Sequence, residues 1–367
     1  MTDPRQKKLA DLLVNYSVAV QPGQWVYIRG HLIAESLVNE VLKSVLDAGG
    51  NPNLFYYTDE IEEITYKHSS DEQLTWISPV EKQIMEEADV LIHIRATTNS
   101  RSLTGVDPKK QQLRGQARQE LMSIYMERAA KKELNWTLTQ YPCNAYAQDA
   151  DMSLQEFENF VYKATYCDLD DPVAEWQRIH KEQQRIVDWL KGKKMVSVKS
   201  PNADLTLSIE DRVFINSDGT ANMPSGEVFT GPVEDSANGW VKFTYPAVRK
   251  GREVDGVELE FKDGKVIKAS ATKNEEYLLA MLDADEGSRY LGEFAIGTNY
   301  AIQQFTKSIL YDEKIGGSFH MALGAGYPET GSKNKSSIHW DMICDIKQDS
   351  EIRVDGELLY KDGQFVI

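Results

Sequence analysis

The pattern of the chain changes near residue 193, and this change limits the folds it can adopt. Before it, strand-like segments such as QWVYIRG and DVLIHIRA alternate with helix-like segments such as AESLVNEVLKSVLDAGG. After it, short segments such as DLTLSIE alternate apolar with polar residues. The first pattern is typical of a parallel sheet covered by helices, and the second of antiparallel strands. We predict an α/β domain with a mainly parallel sheet over residues 1–192, followed by a β-rich (α+β) domain over residues 193–367.

Individual segments refine this prediction. In the first domain, PKKQQLRGQARQELMSIYMERAAKK is predicted as one long helix, and the helical stretch before it should break near Pro79. In the second domain, Asp263-Gly264 and Asp362-Gly363 supply the dipeptide that favours tight hairpins. The segment NEEYLLAMLDA is the clearest helix there.

Composition excludes several classes of function. The net charge of −16 opposes a general nucleic-acid surface, which needs clustered lysine and arginine. The sequence contains no run of about 18 apolar residues, and its start does not resemble a signal peptide, so we expect a cytoplasmic protein without a membrane partner. The three cysteines, Cys143, Cys167 and Cys344, have no metal-type spacing and support neither a disulfide framework nor a cysteine zinc site.

The fragment SIHWDM is the most informative about chemistry. On a strand, His339 and Asp341 would project from one face while Ile338 and Trp340 face the other way. A paired imidazole and carboxylate form half of a divalent-metal site. Taken alone, such a pair is more often a surface histidine beside a solvated aspartate.

Three other residues favour the metal-site interpretation of this pair. His320 lies in FHMALG, Glu227 in MPSGEVFTGP and Glu293 in YLGEFAIG, each among small or apolar residues where a lone charge is costly to bury. Taken singly, a core histidine or a salt-bridged glutamate is the more common interpretation. Together with His339 and Asp341, the three supply enough ligands for two divalent metals, an arrangement that recurs in hydrolytic enzymes.

At these fragments the sequence resembles the metallo-aminopeptidase family of aminopeptidase T, aminopeptidase S and PepS. The similarity covers nearly the whole chain, and its most specific parts are NMPSGEVFTGP, YLGEFAIGTN, DEKIGGSFHMALG, GYPETG and SSIHWDM. The resemblance implies an exopeptidase that binds two divalent ions (Zn, Co, Mn or Mg) and acts on peptides with a free N-terminus. It also implies a catalytic second domain and a homodimer that encloses the active sites.

The resemblance also implies roles for particular residues. The metal ligands would be Glu227, Glu293, His320, His339 and Asp341, with Glu293 as the bridge between the ions. Tyr327 matches the tyrosine beside the metals, and its hydroxyl could donate to the oxyanion of the tetrahedral intermediate. Glu293 could alternatively take the proton as general base. The residue that receives the substrate's amino group is left open among three acidic residues, Glu253, Glu313 and Glu329.

Two departures from the family pattern affect specificity. The segment between Tyr327 and His339 is the short PETGSKNKSSI, and the ligand motif reads His-Trp-Asp-Met. Two other functions also stay open: another metal-dependent amide hydrolase, or a noncatalytic dimeric metal-binding protein. Dinucleotide binding has little support, because no G-x-G-x-x-G follows a strand in the first half. A serine nucleophile has equally little, because the sequence has no G-x-S-x-G.

Overall fold

The computed structural model describes residues 3–249 and 251–367, which form two compact units. Unit 1 contains the chain up to Ala174 together with Gly219–Pro224, and unit 2 contains Glu175–Asp218 and Ser225–Ile367. The domain boundary placed after residue 192 from the sequence stays a prediction.

Unit 1 is built around a parallel sheet. Its strands are β1 (Trp25–His31), β2 (Asn51–Tyr57), β3 (Val90–Arg95) and β4 (Asn135–Gln140). They lie in the order β2-β1-β3-β4, and every neighbouring pair is parallel. Its helices are α1 (Pro4–Leu12), α2 (Glu35–Asp47), α3 (Asp59–His68), α4 (Asp71–Thr75), α5 (Pro79–Glu87), α6 (Pro108–Ala117), α7 (Gln119–Ala130), α8 (Asn144–Asp149) and α9 (Leu154–Ala164), with a π-helical turn at Leu13–Ser17 and a 3₁₀ turn at Leu32–Ala34. The predicted α/β class is confirmed.

One helix prediction is wrong. The stretch expected to form a single long helix is divided into α6 and α7 at Arg118. This residue has φ −85° and ψ 0°, outside the helical region, so the hydrogen-bond ladder stops and restarts there. The break expected near Pro79 is present, because α5 begins at that proline.

Unit 2 is dominated by antiparallel strands, as predicted. The strands are β5 (Met195–Ser200), β6 (Ala203–Ser208), β7 (Ile215–Ser217), β8 (Glu227–Thr230), β9 (Asn238–Lys242), β10 (Ala247–Arg249), β11 (Arg252–Val254), β12 (Glu258–Lys262), β13 (Lys265–Ser270), β14 (Leu291–Gly297), β15 (Ser318–Gly324), β16 (His339–Asp345), β17 (Glu351–Val354), β18 (Glu357–Lys361) and β19 (Gln364–Phe365). The helices are α10 (Pro172–Leu190), most of which belongs to this unit, α11 (Glu275–Leu282) and α12 (Ile309–Asp312), with 3₁₀ turns at Glu286–Arg289 and Pro328–Thr330.

Two sheets of unit 2 share one hydrophobic core. The larger sheet has the order β13-β12-β9-β6-β5-β17-β18-β19, the smaller one has the order β16-β15-β14-β8-β7, and β10 pairs with β11 separately. Buried side chains of the larger sheet, such as Val198 and Leu205, belong to the same core cluster as Phe294 and Met321 of the smaller sheet. One face of the smaller sheet is therefore apolar, and its opposite face is free to carry polar groups.

The hairpin dipeptides behave as predicted. Asp263 and Gly264 connect β12 to β13, and Asp362 and Gly363 connect β18 to β19, all four with positive φ. This conformation suits the right-handed twist of the flanking strands, and glycine adopts it without strain. Among the described residues, no helix is long and apolar enough to cross a membrane.

Candidate metal centre

Five predicted ligands project from one face of the smaller sheet. His339 and Asp341 on β16 pair with Gly324 and Ala322 on β15, two residues apart on the face that also carries His320. Trp340 and Ile338 point into the core on the other side, as the alternation predicts. Glu293 on β14 pairs with Ala322, and Glu227 begins β8 opposite Gly297.

A β-bulge directs Glu293 to this face. The pairing of β14 with β15 shifts between Leu291 and Glu293, so Leu291 is opposite Leu323 while Glu293 is opposite Ala322. In a regular strand, Leu291 and Glu293 would share a face, but the bulge places Leu291 in the core and Glu293 among the ligands. Gly292 permits it, since a Cβ there would lie 2.3 Å from the carbonyl oxygen of Ala325.

Glu293 lies between the two histidines. Its Oε1 is 3.6 Å from Nε2 of His320, and its Oε2 is 3.2 Å from Nε2 of His339. Glu227 Oε2 is 3.4 Å from the same His320 nitrogen, and Asp341 Oδ1 is 3.4 Å from the same His339 nitrogen. Nε2 of each imidazole therefore lies within 3.6 Å of Glu293 and of one further carboxylate.

These side chains form three overlapping groups that could each hold a metal ion. The first is Glu227, Glu293 and His320, and the second is Glu293, His339 and Asp341. A third group combines His320 and Asp341 with Glu313, a residue that the sequence suggested only as one of three unranked acidic candidates. Within each group the donor atoms lie within 4.8 Å of one another. Two imidazoles and four carboxylates make an N/O donor set suited to divalent ions such as zinc or manganese.

Unsatisfied polar atoms support the fit to metal ions. In the described part of the chain, Glu227 Oε2 and Asp341 Oδ1 are buried and have no hydrogen-bond partner. Buried polar atoms are normally paired, so these two oxygens are suited to a cation. Nδ1 of His339 donates to the carbonyl oxygen of Ala325 at 2.7 Å. That bond leaves the lone pair of a neutral His339 on Nε2, the atom that faces Glu293 and Asp341.

The carboxylates favour positive charge at both imidazole positions. Burial alone would lower the pKa of His320, but Glu293 and Glu227 raise it to about 9. Burial likewise opposes protonation of His339, while Asp341 and Glu293 raise its pKa to about 12. Burial would raise the pKa of Asp341, yet His339 lowers it to about 2. Protons or metal ions can supply the positive charge that this cluster attracts.

Lys314 is a member of the cluster that sequence reasoning missed. Its side chain is fully buried, and its Nζ contacts Glu313 Oε1 and lies 3.6 Å from Glu227 Oε1. Burial alone would lower the pKa of Lys314, but Glu227 and Glu313 keep it above its usual range. The sequence does carry a signal for Lys314: it lies in DEKIGG, between an acidic pair and two glycines, six residues before His320.

Tyr327 lies beside the histidine of β16. Its ring centroid is 5.1 Å from that of His339 and 5.6 Å from that of Phe229. Burial, and then the nearby carboxylates led by Glu293, raise the pKa of Tyr327, so its hydroxyl keeps its proton near neutral pH. The tyrosine is thus a hydrogen-bond donor at the edge of the cluster.

The other acidic candidates are not in these groups. Glu253 pairs with Lys273 at 2.7 Å and lies 3.9 Å from Lys307, and Glu329 is exposed on a 3₁₀ turn. Cys143, Cys167 and Cys344 are free and buried. Cys344 belongs to the hydrophobic core, where its thiol contacts the carbonyl oxygen of Lys242. It lies on the opposite side of β16 from His339 and Asp341.

Comparisons with known proteins identify the family and the fold of the chain. The family model described as thermophilic metalloprotease (M29) matches residues 2–365. Aminopeptidase 2 of Geobacillus stearothermophilus is 29% identical, over 97% of this chain and 94% of the relative. Aminopeptidase T of Thermus thermophilus is 24% identical over 97% and 95%. The solved structure of wild-type AmpT from Thermus thermophilus superposes with a TM-score of 0.87 at 21% identity, covering 99% of both chains, and so supports the fold.

A set of histidine and carboxylate donors is of the kind that holds the ions of metal-dependent hydrolases. Because the family model covers almost its whole length, the chain belongs to the M29 family of thermophilic metalloproteases. It is therefore a peptide-bond hydrolase of the metallopeptidase class, and the family resemblance seen in the sequence is confirmed.

Proposed function

We propose that this protein is an aminopeptidase that removes N-terminal amino acids from peptides with the help of two divalent metal ions. The observation that carries the proposal is the position of Glu293, whose two oxygens face two different histidines. A carboxylate shared in this way between two donor groups suits a bridging ligand of a metal pair. The names of the relatives, Aminopeptidase 2 and Aminopeptidase T, support removal of N-terminal residues.

The proposed ligands are Glu227, Glu293, His320, His339 and Asp341, and Glu313 joins them as a fourth carboxylate. When bound, two divalent ions would lower the pKa of a water molecule and polarise the scissile carbonyl.

Side chains of the protein supply the other catalytic roles. Glu293 holds its carboxylate between the imidazoles, where it would either bridge the two ions or, as the alternative role, accept the proton of the attacking water. The hydroxyl of Tyr327 donates to the oxyanion that forms at the substrate carbonyl.

One panel of substrates tests the proposal. A leucyl amide with a free amino group should be hydrolysed, while its N-acetylated analogue and a simple non-peptide amide should not. A chelator should remove the activity, and zinc, cobalt or manganese should restore it. Equal hydrolysis of the blocked and free substrates would favour a general amide hydrolase, and full activity in protein shown by elemental analysis to be metal-free would contradict the proposal.

The ions' number and identity and the homodimer belong to the same proposal and rest on the family resemblance, whereas the cytoplasmic location stays a prediction from the sequence. Elemental analysis of the purified protein should give up to two divalent ions per chain. Sedimentation equilibrium should give the mass of a dimer, and a monomer at micromolar concentration would remove that part of the proposal.

A further inference from the structure

A lysine with no solvent exposure stands beside the proposed ligands. Lys314 follows α12, and its ammonium contacts one oxygen of Glu313 and lies 3.6 Å from Oε1 of Glu227. Removing an ammonium from water is unfavourable unless anionic groups compensate it. The two carboxylates are therefore partners that this lysine requires, and it differs from a surface lysine with an optional ion pair.

The backbone around Lys314 is held against the strand of Glu293. The amide of Lys314 donates to the carbonyl oxygen of Tyr311 at 3.0 Å, and its carbonyl accepts from the amide of Asn299 at 3.1 Å. Gly297, the last residue of β14, lets the two segments approach, since a Cβ there would lie 2.2 Å from the carbonyl oxygen of Ile315. The backbone position from which the Lys314 side chain extends is therefore fixed.

The two oxygens of Glu227 have different surroundings. Oε1 faces Lys314, whereas Oε2 faces His320 at 3.4 Å and has no hydrogen-bond partner in the described part of the chain. A cation that holds one oxygen of a carboxylate fixes its rotation and presents the other oxygen. Glu227 would then bind a metal through Oε2 alone.

The same ammonium connects two of the ligand groups. Glu227 belongs to the group with Glu293 and His320, and Glu313 belongs to the group with His320 and Asp341. At any metal loading, the ammonium makes the cluster one unit less negative. It thus favours the negative charge that develops on a carbonyl oxygen during peptide hydrolysis.

We propose that Lys314 is a positioning residue of the metal centre, which holds one oxygen each of Glu227 and Glu313 so that their other oxygens face the ions. The inference rests on the proposed function, since it takes these carboxylates as ligands of divalent ions. It assigns a role to a residue outside the proposed ligand set.

The test compares two variants of the full chain loaded with cobalt(II). Lys314→Met removes the charge with little change in length. Arg212→Met is the matched control, because Arg212 is a nearly buried cation of the same unit that pairs with Glu234 at 2.7 Å, outside the cluster. Cobalt(II) affinity is measured by competition with a chelator, and the visible absorption of the bound ions reports their coordination.

Lys314→Met should bind at least one cobalt ion about 10–100-fold more weakly than the wild type and show an altered visible spectrum, as expected for loss of an outer-shell partner. Arg212→Met should lower thermal stability while leaving both readouts unchanged. Wild-type or tighter cobalt affinity in Lys314→Met, the result expected if the ammonium acts through its charge alone, would overturn the inference but leave the proposed function intact. A wild type that binds no cobalt would contradict both.

If Lys314→Met does not fold, a crystal structure of the cobalt-loaded wild type decides the question. The inference requires Glu227 to bind cobalt through one oxygen, with the ammonium beside the other. Glu227 bound through both oxygens, with Lys314 turned away, would overturn it.

Discussion

Glu293 and His339 stand on strands that are not neighbours, yet Oε2 of the glutamate lies 3.2 Å from Nε2 of the histidine. The intervening strand β15 contributes only small residues between them, Ala322 opposite Glu293 and Gly324 opposite His339. Alanine has too little side chain to separate them. The contact therefore depends on a small residue in the middle strand as well as on the ligands themselves.

Removing the ligands of β16 should abolish most activity without unfolding the protein. We expect His339→Ala and Asp341→Ala each to lower kcat/KM by more than about 100-fold, the upper end of the effect of losing an outer-shell partner. The matched control is His180→Ala, because His180 forms a histidine–aspartate pair with Asp218 at 2.6 Å in the same unit. Kinetics on a leucyl amide, with metal content and circular dichroism, would check this, and near-normal turnover in both ligand variants would exclude this pair from the site.

The bulge at Gly292 should be essential to the site. In Gly292→Ala the new Cβ would meet the carbonyl oxygens of Ala325 and Gly324 at 2.3 and 2.5 Å. We expect a loss of roughly 1–3 kcal/mol of stability and a fall in metal content, because the backbone must move and turn Glu293. Gly115→Ala is the control, since a Cβ on this residue of α6 meets nothing within 4 Å. Wild-type activity in Gly292→Ala would show that the bulge does not determine the orientation of the Glu293 side chain.

Tyr327→Phe should separate catalysis from metal binding. The ring would keep its contacts with His339 and Phe229, but the hydroxyl would be lost. If that hydroxyl donates to the oxyanion, kcat should fall by roughly 10²–10³ while KM and metal content change little. Steady-state kinetics and metal quantification on one sample decide it. An unchanged kcat would exclude Tyr327 from the mechanism, and lost metal would reassign it to holding the site together.

His93 in unit 1 should make the protein sensitive to acid. Burial, with the nearby Arg29 and Arg95, lowers the pKa of His93 from 6.5 to about 3. Below pH 6.5 the unfolded chain binds a proton at this position that the folded state rejects, so stability falls as the pH drops from about 6.5 towards 3. We expect the free energy of unfolding of His93→Phe, taken relative to that of the wild type, to be about 2 kcal/mol higher at pH 5 than at pH 7.5.

Urea denaturation at the two pH values measures this difference. The phenyl ring keeps the contact that the imidazole makes with Tyr57, 5.9 Å away between centroids. If the difference in free energy of unfolding between His93→Phe and the wild type is the same at both pH values, His93 accepts a proton in the folded state and the prediction is wrong.

Much of the architecture could be predicted because its signals are local. The Asp-Gly dipeptides at 263 and 362 specify their turns without help from distant residues. Likewise, the alternation of Ile338, His339, Trp340 and Asp341 places the two ligands on one face. The long helix over residues 108–132 was predicted wrongly, since no strong breaker marks Arg118.

The site was harder to predict because its geometry depends on contacts between distant segments. Strict alternation would put Leu291 and Glu293 on the same face, and the bulge that separates them follows from the close approach of Gly292 to Ala325. Lys314 was missed because lysine is normally exposed, and its burial becomes visible only when Glu227 is brought to it from 87 positions earlier in the sequence.

The pairing of β5 with β17 has a consequence for synthesis on the ribosome. Val198 pairs with Ile352, and every proposed ligand lies between these two positions in the sequence. One edge of β5 therefore stays open until β17 emerges, about 150 residues later, and such distant strand pairings close slowly. All six donor side chains are thus translated before the larger sheet is complete. A nascent chain halted near residue 345 would carry every ligand on an unfinished scaffold with an exposed strand edge, which is where we expect chaperones to bind.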